Sequence, residues 1–422
     1  MTKKIHRIDS MSHPSQSLFI DLEKLPDLVK ARKWVQEKLK VFSAICLQPG
    51  ISRKKIIAKL NMRPTSVSHL VQELLDASLV HEKERILHLS SGRPEIALYP
   101  VKNRFLAISF HIVAYTLKVD LLNPFEEVIF AGERPLPPET SPRVFLKTLT
   151  ELVELAKQSV PVGSTLLGAS IHLPGFMDTA KEVWIFAARW PKIRNLSFEK
   201  IRSAVGVPCS IDRMLDAALE YLLLREPQIQ GKDILLVHWG YGIGAAFAYK
   251  GQVVASNIGG VCEIGHWKVV EEGGMPCMCG SHGCLETVAS LWSLLTFLKD
   301  SYREIPEVED EFSSFLSQHG EIIESPVFQN ALRSMGSVLG DLFTTLFPKT
   351  IYLYGPFGTI PSIQQGFQDI ALQHIPQFAR SYLDLRFLPP QFYGDRFGGS
   401  RTLFQKAYRE VLLNSSQGKA SS

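Results

Sequence analysis

Six cysteines in 422 residues are too few for a disulfide-stapled scaffold. Three of them, Cys277, Cys279 and Cys284, fall within eight residues, a crowding that fits a metal better than disulfides. The chain also lacks any uncharged apolar run of the roughly 18 residues needed to cross a bilayer. Its opening stretch, MTKKIHRIDSMSHPSQS, has no apolar block of the secretory kind. Together these absences point to the cytoplasm and away from a membrane. Low-complexity tracts are missing apart from the terminal SSQGKASS, and short-period repeats are missing altogether. What remains is 45% apolar and 21% charged, globular material long enough for two or three domains.

Charge is unevenly spread. Of 46 Lys+Arg and 42 Asp+Glu, 17 and 10 lie in residues 1–100, leaving 29 and 32 for the rest. A segment at +7 joined to a body at −3 is what is expected where one end meets a polyanion. A solvated basic surface is the plainer alternative.

Residues 20–46 place Leu28, Val29, Val35, Leu39, Phe42 and Ile45 at helical spacing, with a break expected near Pro26. Ser52 then precedes the short helix RKKIIAKL, Asn61 and Met62 form a turn, and Thr65 or Ser66 caps a second helix to Leu75. Two strands, 79–82 and 86–89, follow as a wing. Beyond Phe105, strand-like runs such as RFLAISFH and DILLVHWGYGIGAAFAY alternate with helical ones such as VFLKTLTELVELAKQSV, the pattern of an α/β body. The predicted divisions are a flexible N-terminus (1–20), a winged helix-turn-helix with linker (21–100), a first α/β lobe (101–230), a second (231–413) and a disordered tail (414–422).

A helix-turn-helix reads DNA with its second helix in the major groove, which requires short polar side chains early and apolar anchors behind. Val67, Leu70, Val71 and Leu74 supply the anchors, leaving Arg63, Thr65, Ser66, Ser68, His69 and Gln72 to face bases or phosphates. Lys54, Lys55 and Lys59 on the preceding helix suit phosphate contacts, which fix position without reading sequence. Arg93, after Gly92 and before Pro94, suits a narrow minor groove, with an interdomain hinge as the alternative. A small protein-interaction module is the competing reading of the whole segment. DNA as partner implies a dimer, or a dimer of dimers, on an inverted repeat.

The most specific motif is GGVCEIGHWKVVEEGGMPCMCGSHGCLETVAS. His266, Cys277, Cys279 and Cys284 offer one imidazole and three thiolates, a set that closes a tetrahedral structural zinc site. Cys262 and His282 are rival ligands. The pattern E-x-G-H, ten residues, then C-x-C-G-x-x-G-C-x-E resembles the signature of the ROK family, which groups bacterial sugar repressors with sugar kinases. The resemblance runs from the Gly92-Arg93-Pro94 linker through Leu173-Pro174-Gly175, the Asp212 region and Gly240 to Gly244, ending at Tyr354-Gly355. It implies an actin-like ATPase (ribonuclease H-like) fold of two lobes around a sugar cleft, with Asp212, Glu263, His266 and Glu286 contacting the sugar. The histidine would give one ring nitrogen to zinc and the other to a hydroxyl. Ile211 stands where the family usually has asparagine.

A kinase of this family needs a D-x-G-G-T loop so that backbone N–H groups approach phosphate. This chain has Ile108-Ser109-Phe110-His111-Ile112-Val113-Ala114, without aspartate or glycine, and the expectation is that Phe110 and Ile112 fill the phosphate space. Tyr241 stands where threonine is common. The resemblance therefore implies a transcriptional regulator of carbohydrate genes, a repressor controlled by a sugar or sugar derivative, with no catalytic residue and no phosphotransferase activity. A sugar kinase with an accessory DNA-binding domain, or a regulator controlled by a protein partner, are the alternatives.

Overall fold

The computed structural model describes residues 30–84, 95–255, 260–389 and 394–414, with Leu22, Leu28 and Phe392. The predicted strand at 86–89, Arg93 and both termini lie outside these residues.

Three helices open the described chain: α1 (Lys33–Leu47), α2 (Arg53–Leu60) and α3 (Pro64–Asp76), with strand β1 (Ile51–Ser52) between the first two. Ser52 caps α2 by accepting from the Lys55 amide, and Asn61 ends it in the left-handed conformation, which asparagine tolerates. Helix α3 starts earlier than the expected Thr65 or Ser66 cap. Pro64 takes its first position, where a missing N–H costs nothing, and no side chain caps it. Strand β2 (Val80–Glu84) pairs antiparallel with β3 (Ile96–Pro100), which also pairs with β1.

The body is two five-stranded mixed sheets with one strand order. The first contains β4 (Phe105–Val113), β5 (Thr116–Leu122), β6 (Val128–Pro135), β7 (Thr165–Leu173) and β11 (Cys209–Arg213). A small sheet of β8 (Phe176–Asp178), β9 (Val183–Phe186) and β10 (Arg194–Ser197) interrupts it. Helices α4 (Pro142–Gln158), α5 (Phe198–Val205) and α6 (Met214–Arg225) complete this lobe. The second sheet contains β12 (Ile234–Trp239), β13 (Ile243–Tyr249), β14 (Gln252–Val253), β15 (Thr350–Tyr354) and β16 (Leu385–Phe387). In each sheet the first three strands form an antiparallel meander and the last two join the first in parallel. Such a repeat puts the carboxyl ends of both parallel sets at one cleft, the usual ligand position in α/β sheets. Helices α7 (Leu291–Leu298), α8 (Glu309–Gln318), α9 (Pro326–Leu346) and α10 (Pro361–His374) cover the second sheet.

The chain ends in α11 (Gly394–Gly398) and α12 (Arg401–Asn414). Although the sequence reading puts them in the second lobe, α11 packs on α6 and β4, and α12 on β4, β7 and α1. Tyr408 sits at this junction, its ring 5.6 Å from Phe42 of α1 and 5.1 Å from Phe105 of β4. No described helix is long and apolar enough to cross a membrane.

Candidate functional site

On α3, Val67, Leu70, Val71 and Leu74 are fully buried, while Arg63, Thr65, Ser68, His69 and Gln72 are exposed and Ser66 half-buried. The apolar period therefore rotates the polar edge outward. Glu73 on the buried flank fixes that rotation: it accepts from Trp34 Nε1 at 3.0 Å and pairs with the buried Lys38 at 2.7 Å. Two of the expected base readers are held by their own helix, His69 by Glu73 at 3.3 Å and Gln72 by Asp76 at 2.8 Å. Lys54, Lys55 and Lys59 are exposed on α2.

The cleft between the lobes brings together Glu263, His266 and Glu286. Asp212 is not among the residues lining it. Alternation along β11 turns Asp212 toward the face shared with Ser210, in register with His172, and presents Arg213 to the cleft instead. Arg213, 6% exposed, donates to Asp216 at 3.1 Å and to the Ala245 carbonyl at 2.9 Å, and pairs with Glu263 at 3.2 Å. Glu263 also accepts from the Gly260 amide at 2.8 Å. Glu286 is buried; desolvation raises its pKa against the opposing pull of His266 and the Trp292 indole N–H at 3.1 Å. Gly265 is required here, since a Cβ would lie 2.3 Å from the Ile243 carbonyl and 2.9 Å from Glu286. The result is a polar floor, walled by Phe186, Met214, Leu215 and Ile243, that can hold a hydroxylated ligand against an apolar side.

At one edge of the cleft the lobes are tied together. Phe110 does not intrude on it: the side chain is buried in the first-lobe core, because β4 alternation points it away. Instead the β4–β5 turn, with Ala114 at φ 50°, projects Tyr115 so that its hydroxyl meets that of Tyr241 across the cleft. Arg189 donates to the Ala114 carbonyl at 2.9 Å, lies over the Tyr241 ring at 4.4 Å and reaches Glu309 at 3.5 Å. Glu309 in turn accepts from the Tyr241 amide at 2.7 Å and contacts His238 Nε2 at 3.0 Å. Burial would raise this carboxyl, but His238 and Arg189 outweigh it and hold it at about 2. Gly240 has no room for a Cβ between His238 and Glu309. None of Tyr115, Arg189, Arg213 or Glu309 is marked in the sequence; Glu309 sits in an acidic run indistinguishable from a solvated helix start.

His266, Cys277, Cys279 and Cys284 converge, their ligand atoms all within 4.8 Å of one another, and among the described residues this is the one cluster able to hold a metal. Cys262 and His282 are outside it. His266 turns Nδ1 to the sulfurs, 3.5 Å from Cys277, and Cys279 and Cys284 are 3.7 Å apart. Gly283, at φ 71°, makes this possible, because a Cβ there would lie 2.2 Å from the Val270 carbonyl. Burial raises the Cys277 and Cys284 thiols. Deprotonated together, three thiolates in that place would need a cation beside them.

A sequence model of the ROK family matches residues 120–384. A putative xylose repressor of Caldicellulosiruptor sp. (strain Rt8B.4) is 27% identical over 317 residues, 72% of this chain and 77% of that one. A glucokinase of Halalkalibacterium halodurans is 26% identical over 234 residues, half of this chain and 69% of its own. The crystal structure of a ROK family transcriptional regulator, described as a homologue of the Escherichia coli MLC protein, superposes with a TM-score of 0.63 at 21% identity. It covers 90% of this chain and 98% of its own, a likeness of fold. With the two-lobed body, the metal cluster and well over half its length matched, the chain belongs to the ROK family.

Proposed function

We propose that this protein is a DNA-binding transcriptional repressor of carbohydrate-metabolism genes. Its winged helix-turn-helix would lie within residues 21–100, and its kinase-like body would sense a sugar or sugar derivative without transferring phosphate. The observation that carries the reading is α3. A helix with a fully buried apolar back presents Arg63, Thr65, Ser68, His69 and Gln72 outward on the most basic segment of the chain. Strands β2 and β3 stand beside it as a wing. The xylose repressor and the transcriptional regulator matched above support the same reading.

Glu263, His266 and Glu286 would hold ligand hydroxyls, with Arg213 fixing Glu263. Zinc suits the cluster of one histidine and three cysteines. Held at about 2.0–2.3 Å by imidazole nitrogen and thiolate, it matches donor separations of 3.5 and 3.7 Å. When bound it would neutralise the thiolates and fix the His266 ring, leaving Nε2 toward the cleft. The kinase alternative is disfavoured by the Tyr115–Tyr241 contact, which bridges the two turns that in a kinase would cradle phosphates.

The test is DNA binding and its release. Selection of genomic fragments by the full protein should recover an inverted repeat bound as a dimer, with affinity altered by one sugar or sugar derivative. Tight operator binding by a chain lacking residues 1–100 would refute the assignment.

A further inference from the structure

Buried polar atoms without a hydrogen-bond partner among the described residues concentrate on one face of the first-lobe sheet. On that face are Ser109 Oγ of β4 and Ser170 Oγ and both His172 ring nitrogens of β7, with His111 Nδ1 of β4 3.5 Å from the buried Asp120. Register sets them side by side, Ser109 opposite both Ser170 and Asp120, and Ser170 opposite Ser210. Each unpaired buried group costs about 1–3 kcal/mol, and along β4 this polar row reaches an opening only at His111. His111, alone of these residues, lines a cavity of about 360 Å³, together with Lys118, Asp120, Glu133, Arg396 and two small residues. Its size falls in the small-molecule range of roughly 300–1,000 Å³.

Wall chemistry selects the ligand. Arg396 grips Asp120 through Nε and Nη2 at 2.6 and 2.7 Å, and Lys118 pairs with Glu133 at 3.3 Å, so each acid is matched by one base. Burial, reinforced by Arg396, His172 and Lys118, brings His111 down to about 3, leaving a neutral imidazole that both donates and accepts. An anion entering here would face Asp120 and Glu133, and a cation would face Lys118 and Arg396. An apolar molecule would desolvate five polar side chains without replacing their hydrogen bonds. A neutral molecule bearing several hydroxyls matches all five.

We propose that this cavity is a second ligand site, separate from the cleft, for a neutral polyol or monosaccharide. Its position gives it leverage. Arg396 belongs to α11, which packs on α6, and α6 begins with the cleft residues Met214 and Leu215. The next helix, α12, packs on α1 of the DNA-binding unit. A ligand bridging β4, β5 and Arg396 would therefore act between cleft and DNA.

Calorimetric titration of the full chain with D-glucose, D-xylose and myo-inositol tests this, using a Glu263→Gln Glu286→Gln variant to disable the cleft. At least one probe should still bind that variant saturably, at one per chain. Adding Ala131→Phe, which fills the exposed mouth of the cavity, or Lys118→Met should weaken binding at least tenfold. The proposal is overturned if no probe binds the cleft-disabled variant, or if binding survives both cavity substitutions. It also falls if inorganic phosphate alone binds and Lys118→Met removes it. Unaltered circular dichroism of each variant would exclude misfolding as the cause of a loss.

Discussion

At the scale of single residues, burial sets the chemistry. His172 is fully buried and brought down to about 4 by desolvation, and His111 to about 3. Both imidazoles are neutral in the folded chain, whereas in the unfolded chain they take up a proton near pH 6.5. Stability conferred by the neutral form is therefore complete above pH 6.5 and declines as pH falls toward 4, by about 1.4 kcal/mol per pH unit for each histidine. Glu220, pushed up to about 7 by burial, acts in the opposite sense, so the test is a difference: in urea unfolding from pH 7 to 4.5, His172→Asn should remove about 1.4 kcal/mol per pH unit of the acid-side loss relative to the unaltered chain, and an identical pH profile would contradict the burial argument. The metal cluster was the most legible part of the sequence because its four ligands span only residues 266–284, so local spacing carries the geometry. One zinc per chain is expected by metal analysis, and Cys284→Ser should lose the metal and lower the melting temperature. Freely reactive thiols in the folded, zinc-free protein would contradict it. Asp212 was less legible: which face of a strand a residue takes depends on register with β7, and a neighbouring arginine faces the cleft in its place.

At the scale of elements, period and the Ser52 cap predicted α2, whereas α3 was predicted by period alone, beginning at Pro64 ahead of the expected Thr65 or Ser66 cap. The partner of β2 was not predictable from local pattern, since β3 lies beyond residues 85–94 and pairs across them. The Glu73 tie to Trp34 and Lys38 was equally hidden, being a contact between helices 35–39 residues apart in sequence. Its consequence is mechanical: α3 keeps its polar edge outward because Glu73 is anchored on α1. Removing one partner of such an ion pair costs about 3 kcal/mol or more, so Lys38→Met should destabilise the N-terminal unit. Electrophoretic mobility shift should show weaker DNA binding by that variant at 37 °C than at 15 °C. On the exposed side the roles divide. Lys54→Ala or Lys55→Ala should weaken all DNA sequences similarly and reduce the salt slope by about one. Ser68→Ala or His69→Ala should instead shift preference among operator variants by about 1–3 kcal/mol at one base pair.

At the scale of the whole molecule, the two lobes repeat one sheet order and the chain returns to the first lobe through α11 and α12, joining cleft, sheet and DNA-binding unit. That closure was invisible in the sequence, because nothing local tells a terminal helix which lobe it covers. A glucokinase matches half of this chain, so fold alone does not decide catalysis and the turns at the cleft must be considered. Phosphoryl transfer is mostly positioning and charge neutralisation. At the β4–β5 turn the chain offers no glycine and no carboxylate for magnesium, and Tyr115 closes on Tyr241 while Arg189 is committed to Ala114 and Glu309. Losing one electrostatic element of this kind commonly costs about 100-fold in rate, and several are missing together. With ATP, magnesium and any common hexose, pentose or amino sugar, phosphorylation should therefore stay at background. The cleft should still bind its ligand. Glu263→Gln should abolish the effect of that ligand on operator affinity, whereas Asp212→Asn, on the far face of β11, should leave it within about twofold, a change of only about 0.4 kcal/mol. A turnover of about one per second with any sugar, abolished by Asp212→Asn, would show instead that Asp212 swings into the cleft as a base and that the kinase reading holds.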